Sequence, residues 1–116
     1  MRHVTAKLAS QSVASIVDEM VRRIVEQHDP DRIILFGSRA RDTAQDGSDV
    51  DLLVVLPNGT PRRPTTVEIY RVLAGIGVPK DIIVATIDDI EKYRHLPGTV
   101  IREALREGRV LYERTR

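Results

Sequence analysis

Between residues 12 and 28 the apolar positions Val13, Ile16, Val17, Met20, Val21, Ile24 and Val25 recur every three or four residues. That spacing predicts a helix with one apolar stripe. Asp29-Pro30-Asp31 ends it, because proline cannot continue a helix. The unbroken apolar run Ile33-Ile34-Leu35-Phe36 predicts a strand at 32–36, and Leu52-Leu53-Val54-Val55-Leu56 predicts another at 49–56. Between them the pattern predicts a short helix near 38–44 and a turn at Gln45-Asp46-Gly47-Ser48. Residues 57–64, with Pro57, Gly59, Pro61 and Pro64, read as a loop. A helix is expected at 65–75, with Val67, Ile69, Val72 and Leu73 as its apolar positions, stopped by Gly75 and Gly77. A strand at 80–86, helices at 88–93 and 98–107, a stop at Gly108 and a last strand at 109–113 complete the pattern. The expected fold is α/β (α+β): a mixed β-sheet of about four strands with helices packed on it. Residues 1–116 are expected to form a single domain, with 1–11 as a flexible N-terminus.

The chemistry concentrates in residues 37–51. Strand side chains alternate between faces, so Asp49 and Asp51 point the same way while Val50 and Leu52 point into a core. Two carboxylates side by side repel each other and lose hydration. A divalent cation relieves that penalty, and Mg²⁺ favours a few carboxylates together with substrate phosphates. Two such ions can clamp the attacking and leaving oxygens of a displacement at phosphorus. The bland alternative is a solvated Asp pair opening a strand. Upstream, Gly37-Ser38 ends the first strand ahead of a helix-compatible Arg39-Ala40-Arg41-Asp42. Backbone N–H groups at such a place attract anions. Gly37 permits close backbone approach. Ser38 can donate to a phosphate oxygen, or simply cap the helix. No Gly-Lys-Ser/Thr follows, so this is not a Walker A loop. Asp49 lies eleven positions beyond Ser38, enough for a short helix and a return to a neighbouring strand.

Gly37-Ser38 followed by Asp49-x-Asp51 resembles the signature of the nucleotidyltransferase superfamily related to DNA polymerase β. The phrase Ile34-Leu35-Phe36-Gly37-Ser38-Arg39-Ala40-Arg41 and the ending from Pro97 to Glu113 resemble its minimal nucleotidyltransferase branch. Members of that branch often act as antitoxins beside helical HEPN-type toxins. The resemblance implies a third carboxylate on a later strand, and Asp81, opening Ile82-Ile83-Val84-Ala85, matches it. By the same resemblance Asp49 and Asp51 would bind two Mg²⁺ ions, and Asp81 the ion that activates the acceptor hydroxyl. Gly37 and Ser38 would hold the outer phosphates of ATP, with Arg39 or Arg41 neutralising charge. One departure stands out: the second arginine is often followed by glycine in this branch, and here it is followed by Asp42. An acid there would repel a triphosphate if it faced the site, or would pair with Arg39 or Arg41. The implied activity is transfer of AMP from ATP to a hydroxyl of a partner protein. The alternatives are a nucleotide-binding antitoxin acting by contact alone, and an enzyme modifying a small molecule such as an aminoglycoside. Larger members add a helical domain for the acceptor, and this length leaves no room for one. A separate protein, a HEPN-type toxin by resemblance, is therefore expected to present it. Either a homo-oligomer or a hetero-oligomer is compatible.

Composition narrows the field. Charged residues make up 30% of the chain yet the net charge is +1, so no strong field attracts nucleic acid. Aromatics are 3% with no Trp, which leaves no platform for stacking bases. There is no cysteine, which excludes disulfides and thiolate metal sites and fits a cytoplasmic protein. No apolar run is long enough to span a membrane, and Met1 to Lys7 lacks the apolar core of a signal peptide. Other residues take plainer readings. Asp88 and Asp89 suit a helix start, and His28 suits a helix end. His3, His28 and His95 lack metal-ligand spacing. Tyr70, Tyr93 and Tyr112 read as packing residues, and Arg62 and Arg63 as part of a flexible loop. Arg102, Glu103, Arg106 and Glu107 read as a solvated, self-paired helix face.

Overall fold

The second apolar run, Leu52 to Leu56, is too continuous for a strand with one wet face, and the fold explains why. The computed structural model describes residues 12–44 and 47–115. The expected flexible segment 1–11 and the Gln45-Asp46 part of the expected turn lie outside them. The elements run α1 (Val13–His28), β1 (Arg32–Phe36), β2 (Val50–Leu56), α2 (Arg62–Val72), β3 (Lys80–Thr86), α3 (Ile87–Tyr93), α4 (Val100–Glu107) and β4 (Arg109–Glu113). The four strands form one mixed sheet in the order β3-β2-β1-β4. β1 is antiparallel to β2 and to β4, whereas β2 and β3 are parallel. The expected mixed sheet with packed helices is the one observed.

Helices cover both faces of the sheet. Ile33, Leu35, Val50, Leu52, Val54, Ile82 and Val84 pack with Val17, Met20 and Ile24 of α1 and Ile69 of α2. Ile34, Leu53, Val55 and Ala85 pack on the other face with Ile90 of α3 and Ala104 of α4. β2 is central, so its apolar residues on both faces are buried, which is what a strand covered twice requires. Helix starts are set locally. Ser12 Oγ accepts from Ser15 N, and Thr99 Oγ1 from Arg102 N. Thr86 and Asp89 form a reciprocal capping box at α3, which gives Asp89 the helix-start role its position predicts. The C-terminal half of α1 is tied to the end of α2 and the residues just beyond it by Arg23, whose Nη1 donates to Val72 O and Ala74 O, both at 3.1 Å. Glu19 holds the same guanidinium through Arg23 Nε at 2.9 Å. Among the described residues no helix is long and apolar enough to cross a membrane.

The bounds of α2 differ most from expectation. α2 starts at Arg62, inside the expected loop, and ends at Val72. Pro64 is tolerated there because the first turn of a helix has no i−4 carbonyl to lose. Arg62 and Arg63 are therefore helical rather than part of a flexible loop, and Arg62 reaches Asp89 at 3.4 Å. Val67, expected in the apolar stripe, is 54% exposed, while Ile69 and Leu73 are fully buried. The ion pair of α4 runs from Glu107 to Arg41 at 3.2 Å, not along its own face.

Candidate functional site

Strand pairing brings the chemistry together at one end of the sheet. In the antiparallel β1–β2 pair Phe36 lies opposite Asp51, so the chain leaves β1 at Gly37 right beside the acid. In the parallel β2–β3 pair Asp51 lies opposite Asp81. Val50, Leu52 and Ile82 face the α1–α2 layer, so by alternation Asp51 and Asp81 share the opposite face. Asp49 stands exposed just ahead of β2, which begins at Val50 rather than at residue 49 as expected.

Gly37 is required twice over. Its φ is +76°, a left-handed conformation that costs any other L-residue energy. A Cβ on it would also overlap Asp51 Oδ2 and stand 3.1 Å from the carboxyl carbon. The Asp51 carboxylate thus lies against the backbone of the turn. Burial pushes the Asp51 carboxyl above the ordinary aspartate range, and the charges of Asp81 and Asp49 push it further. Arg41 acts in the opposite direction.

The expected short helix at 38–44 does not form. Ala40 N and Arg41 N both donate to Gly37 O (3.1 and 3.3 Å), and Thr43 N donates to Ser38 O (3.0 Å). A single tight turn results, closed by Asp42 at φ +59°. The connection from Phe36 must return to the antiparallel neighbour at Val50, and a left-handed Asp42 ends any helical path. Ser38 therefore opens a turn rather than capping a helix. Arg39 braces the return limb, with Nε and Nη2 donating to Ser48 O (3.3 and 2.9 Å). Asp42 borders a cavity of about 370 Å³ with Val17, Leu35 and Leu111, on the α1 side of the sheet and away from Asp51. It pairs with neither Arg39 nor Arg41, whose donors go to Ser48 and Glu107.

The donor set at this end of the sheet is made of hard carboxylate oxygens, the kind Mg²⁺ prefers. Among the described residues, however, no three acidic or histidine side chains are placed so that they could hold an ion as they stand. Asp51 and Asp81 are adjacent in register, and Asp49 lies ahead of the strand, close enough for its charge to act on Asp51. Two residues escaped the sequence reading. Glu107, at the end of α4, holds Arg41. Tyr70, read as packing, is 39% exposed and accepts a hydrogen bond from Ile82 N at 2.9 Å. Nothing in the sequence pattern points to either contact.

Comparison with known proteins gives the family and the fold. The family model for polymerase beta nucleotidyltransferases matches residues 19–116. Among solved structures, the chain resembles a protein of Sulfolobus solfataricus provisionally assigned as a nucleotidyltransferase. The two are 20% identical, with a TM-score of 0.63 over 86% of this chain and 79% of that one. A toxin–antitoxin structure with AMP-PNP is similar at 16% identity and a TM-score of 0.57, over 84% of this chain and 73% of that one. At such identities the likeness shows a shared fold. No curated protein matches the sequence. With the family match entering within α1 and running through every strand of the sheet, the chain belongs to the polymerase beta nucleotidyltransferases.

Proposed function

We propose that this nucleotidyltransferase moves AMP from ATP to a hydroxyl of a partner protein, and that it is the antitoxin of a HEPN-type toxin. The observation that carries the reading is the register: Asp51 opposite Asp81 on one strand pair and beside the Gly37 turn on the other. Asp49, Asp51 and Asp81 are the residues that would hold two Mg²⁺ ions. Bound there, the ions supply positive charge to offset the carboxylates and the triphosphate. The chain does the rest by positioning. Gly37 and Ser38 offer a turn to the outer phosphates. Arg41, reaching the acids from the Glu107 side, neutralises phosphate charge, while Arg39 keeps the turn in shape. The acceptor oxygen bonds to the α-phosphorus, the bond to the bridging oxygen breaks, and pyrophosphate leaves. The hydroxyl proton passes to the acidic cluster and then to water. The toxin–antitoxin neighbour that carries an ATP analogue supports both the nucleotide and the protein partner.

Asp49→Asn and Asp51→Asn should each cut transfer of label from α-labelled ATP at least about a thousandfold, with the fold intact by circular dichroism. Transfer at the wild-type rate in both would refute the metal role. Intact-mass spectrometry of a HEPN-type partner, incubated with this chain, ATP and Mg²⁺, should show the mass of one or more AMP groups. An unmodified partner whose toxicity is still blocked would replace transfer with contact inhibition.

A further inference from the structure

We propose that Tyr70 is a positioning residue for the transfer reaction, holding the peptide that follows Asp81 so that this acid stays opposite Asp51. The inference rests on the transfer reading above. β3 is an edge strand, paired with β2 on one side only. Edge strands leave alternate N–H groups pointing outward without a ladder partner. Two such groups of β3 are met by side chains. Thr86 N donates to Asp89 Oδ2 at 2.9 Å, a bond explained by the capping box of α3. Ile82 N donates to Tyr70 Oη, also at 2.9 Å, and no local motif explains that bond.

Tyr70 is not there to fill the core. It is one of the more open large apolar side chains, while Ile69 and Leu73 beside it are fully buried. Its distinguishing contact is the phenolic oxygen on Ile82. That amide belongs to the peptide joining Ile82 to Asp81. Asp81 sits one residue inside the start of β3 and is exposed. Strand ends fray first, and an edge strand frays most readily. Lys80 secures the approach, its Nζ donating to Val78 O at 3.0 Å. Tyr70 secures the next peptide from the open side, while the β2 ladder secures it from within. One exposed hydrogen bond adds only about 1 kcal/mol to global stability. A small displacement of a group at a reacting centre, by contrast, costs rate steeply.

The test is Tyr70→Phe, which keeps the ring and removes the oxygen. We expect kcat to fall about tenfold, equivalent to one hydrogen bond of differential placement. The KM for ATP should stay within about twofold, because the Gly37 turn lies at β1, two strands away from β3. Independently of turnover, Mn²⁺ affinity without nucleotide, measured by electron paramagnetic resonance, should fall severalfold. Ser12→Ala, which removes the α1 cap, serves as the control for a comparable drop in Tm, about 5 °C. It should leave kcat and Mn²⁺ affinity unchanged. Wild-type kcat and Mn²⁺ affinity in Tyr70→Phe would overturn the assignment, as would an equal loss in Ser12→Ala. Asp51→Asn is assayed alongside. If it keeps full transfer the transfer reading fails; if it is inactive while Tyr70→Phe is normal, only the Tyr70 assignment fails.

Discussion

Gly37 shows how much can depend on a missing side chain. The backbone turns left-handed there, and the Asp51 carboxylate occupies the space where a Cβ would sit. Gly37→Ala therefore combines two costs: the strain of positive φ, about 1 kcal/mol, and displacement of the acid. We expect a total loss of stability above about 2 kcal/mol and a fall in transfer of about a hundredfold. A double-mutant cycle separates the two. In an Asp51→Ala background the same glycine change should cost only the strain, read from urea unfolding midpoints. Equal costs in both backgrounds would mean that Gly37 and Asp51 do not touch. The sequence made this glycine a candidate because a Gly-Ser ended an apolar run ahead of paired acids. It did not reveal that the acid lies against the glycine itself, since that follows from the Phe36–Asp51 register.

At the scale of elements, side chains borrow carbonyls from distant segments. Arg23 links α1 to the end of α2 through two carbonyl contacts, steadied by Glu19. Arg23→Ala should lower unfolding free energy by about 1–2 kcal/mol at an unchanged urea m-value. No loss would mean that solvent replaces these bonds freely. Most of the elements were legible in the sequence because their apolar periods are long. The seven apolar positions of α1, recurring every three or four residues, and the unbroken runs of β1 and β2 left little choice. The start of α2 was hidden by three prolines, which read as a loop until Pro64 is placed in a first helical turn. The turn after Gly37 was misread as a helix, because Arg39-Ala40-Arg41 suits a helix locally. The short return to β2 and the left-handed Asp42 override that preference. Asp81 as a third acid on a later strand was implied by the family resemblance, but its register opposite Asp51 was not, and the Tyr70 and Glu107 contacts leave no periodic trace in the sequence.

Over the whole molecule, the acids work against folding when no cation is present. Asp51 holds its proton more tightly in the folded chain than in the unfolded one, through burial and through Asp81 and Asp49. Between the two values the folded state binds more protons, so stability falls as pH rises through that window. Glu19 acts in the other direction. Hydrogen bonds from Arg22 and Arg23 push its carboxyl down to about 2, so its contribution is present above the ordinary glutamate range and is lost as pH falls toward that value. Comparing wild type with Asp51→Asn cancels the Glu19 effect. With chelator at neutral pH the variant should melt higher than wild type, and the gap should close on acidification. Added Mg²⁺ should raise the wild-type Tm and leave the variant nearly unmoved, as differential scanning calorimetry would show. A variant that melts lower at neutral pH would contradict the raised Asp51 carboxyl. The alternation of β2 carries a last consequence. A shift of one residue against β1 would send Asp51 into the apolar layer beneath α1 and turn Leu52 out to the opposite face, beside Asp81. The burial that keeps the sheet dry is thus also a proofreader of the chemistry, since a misaligned ladder would bury a charge before it could misplace a reaction.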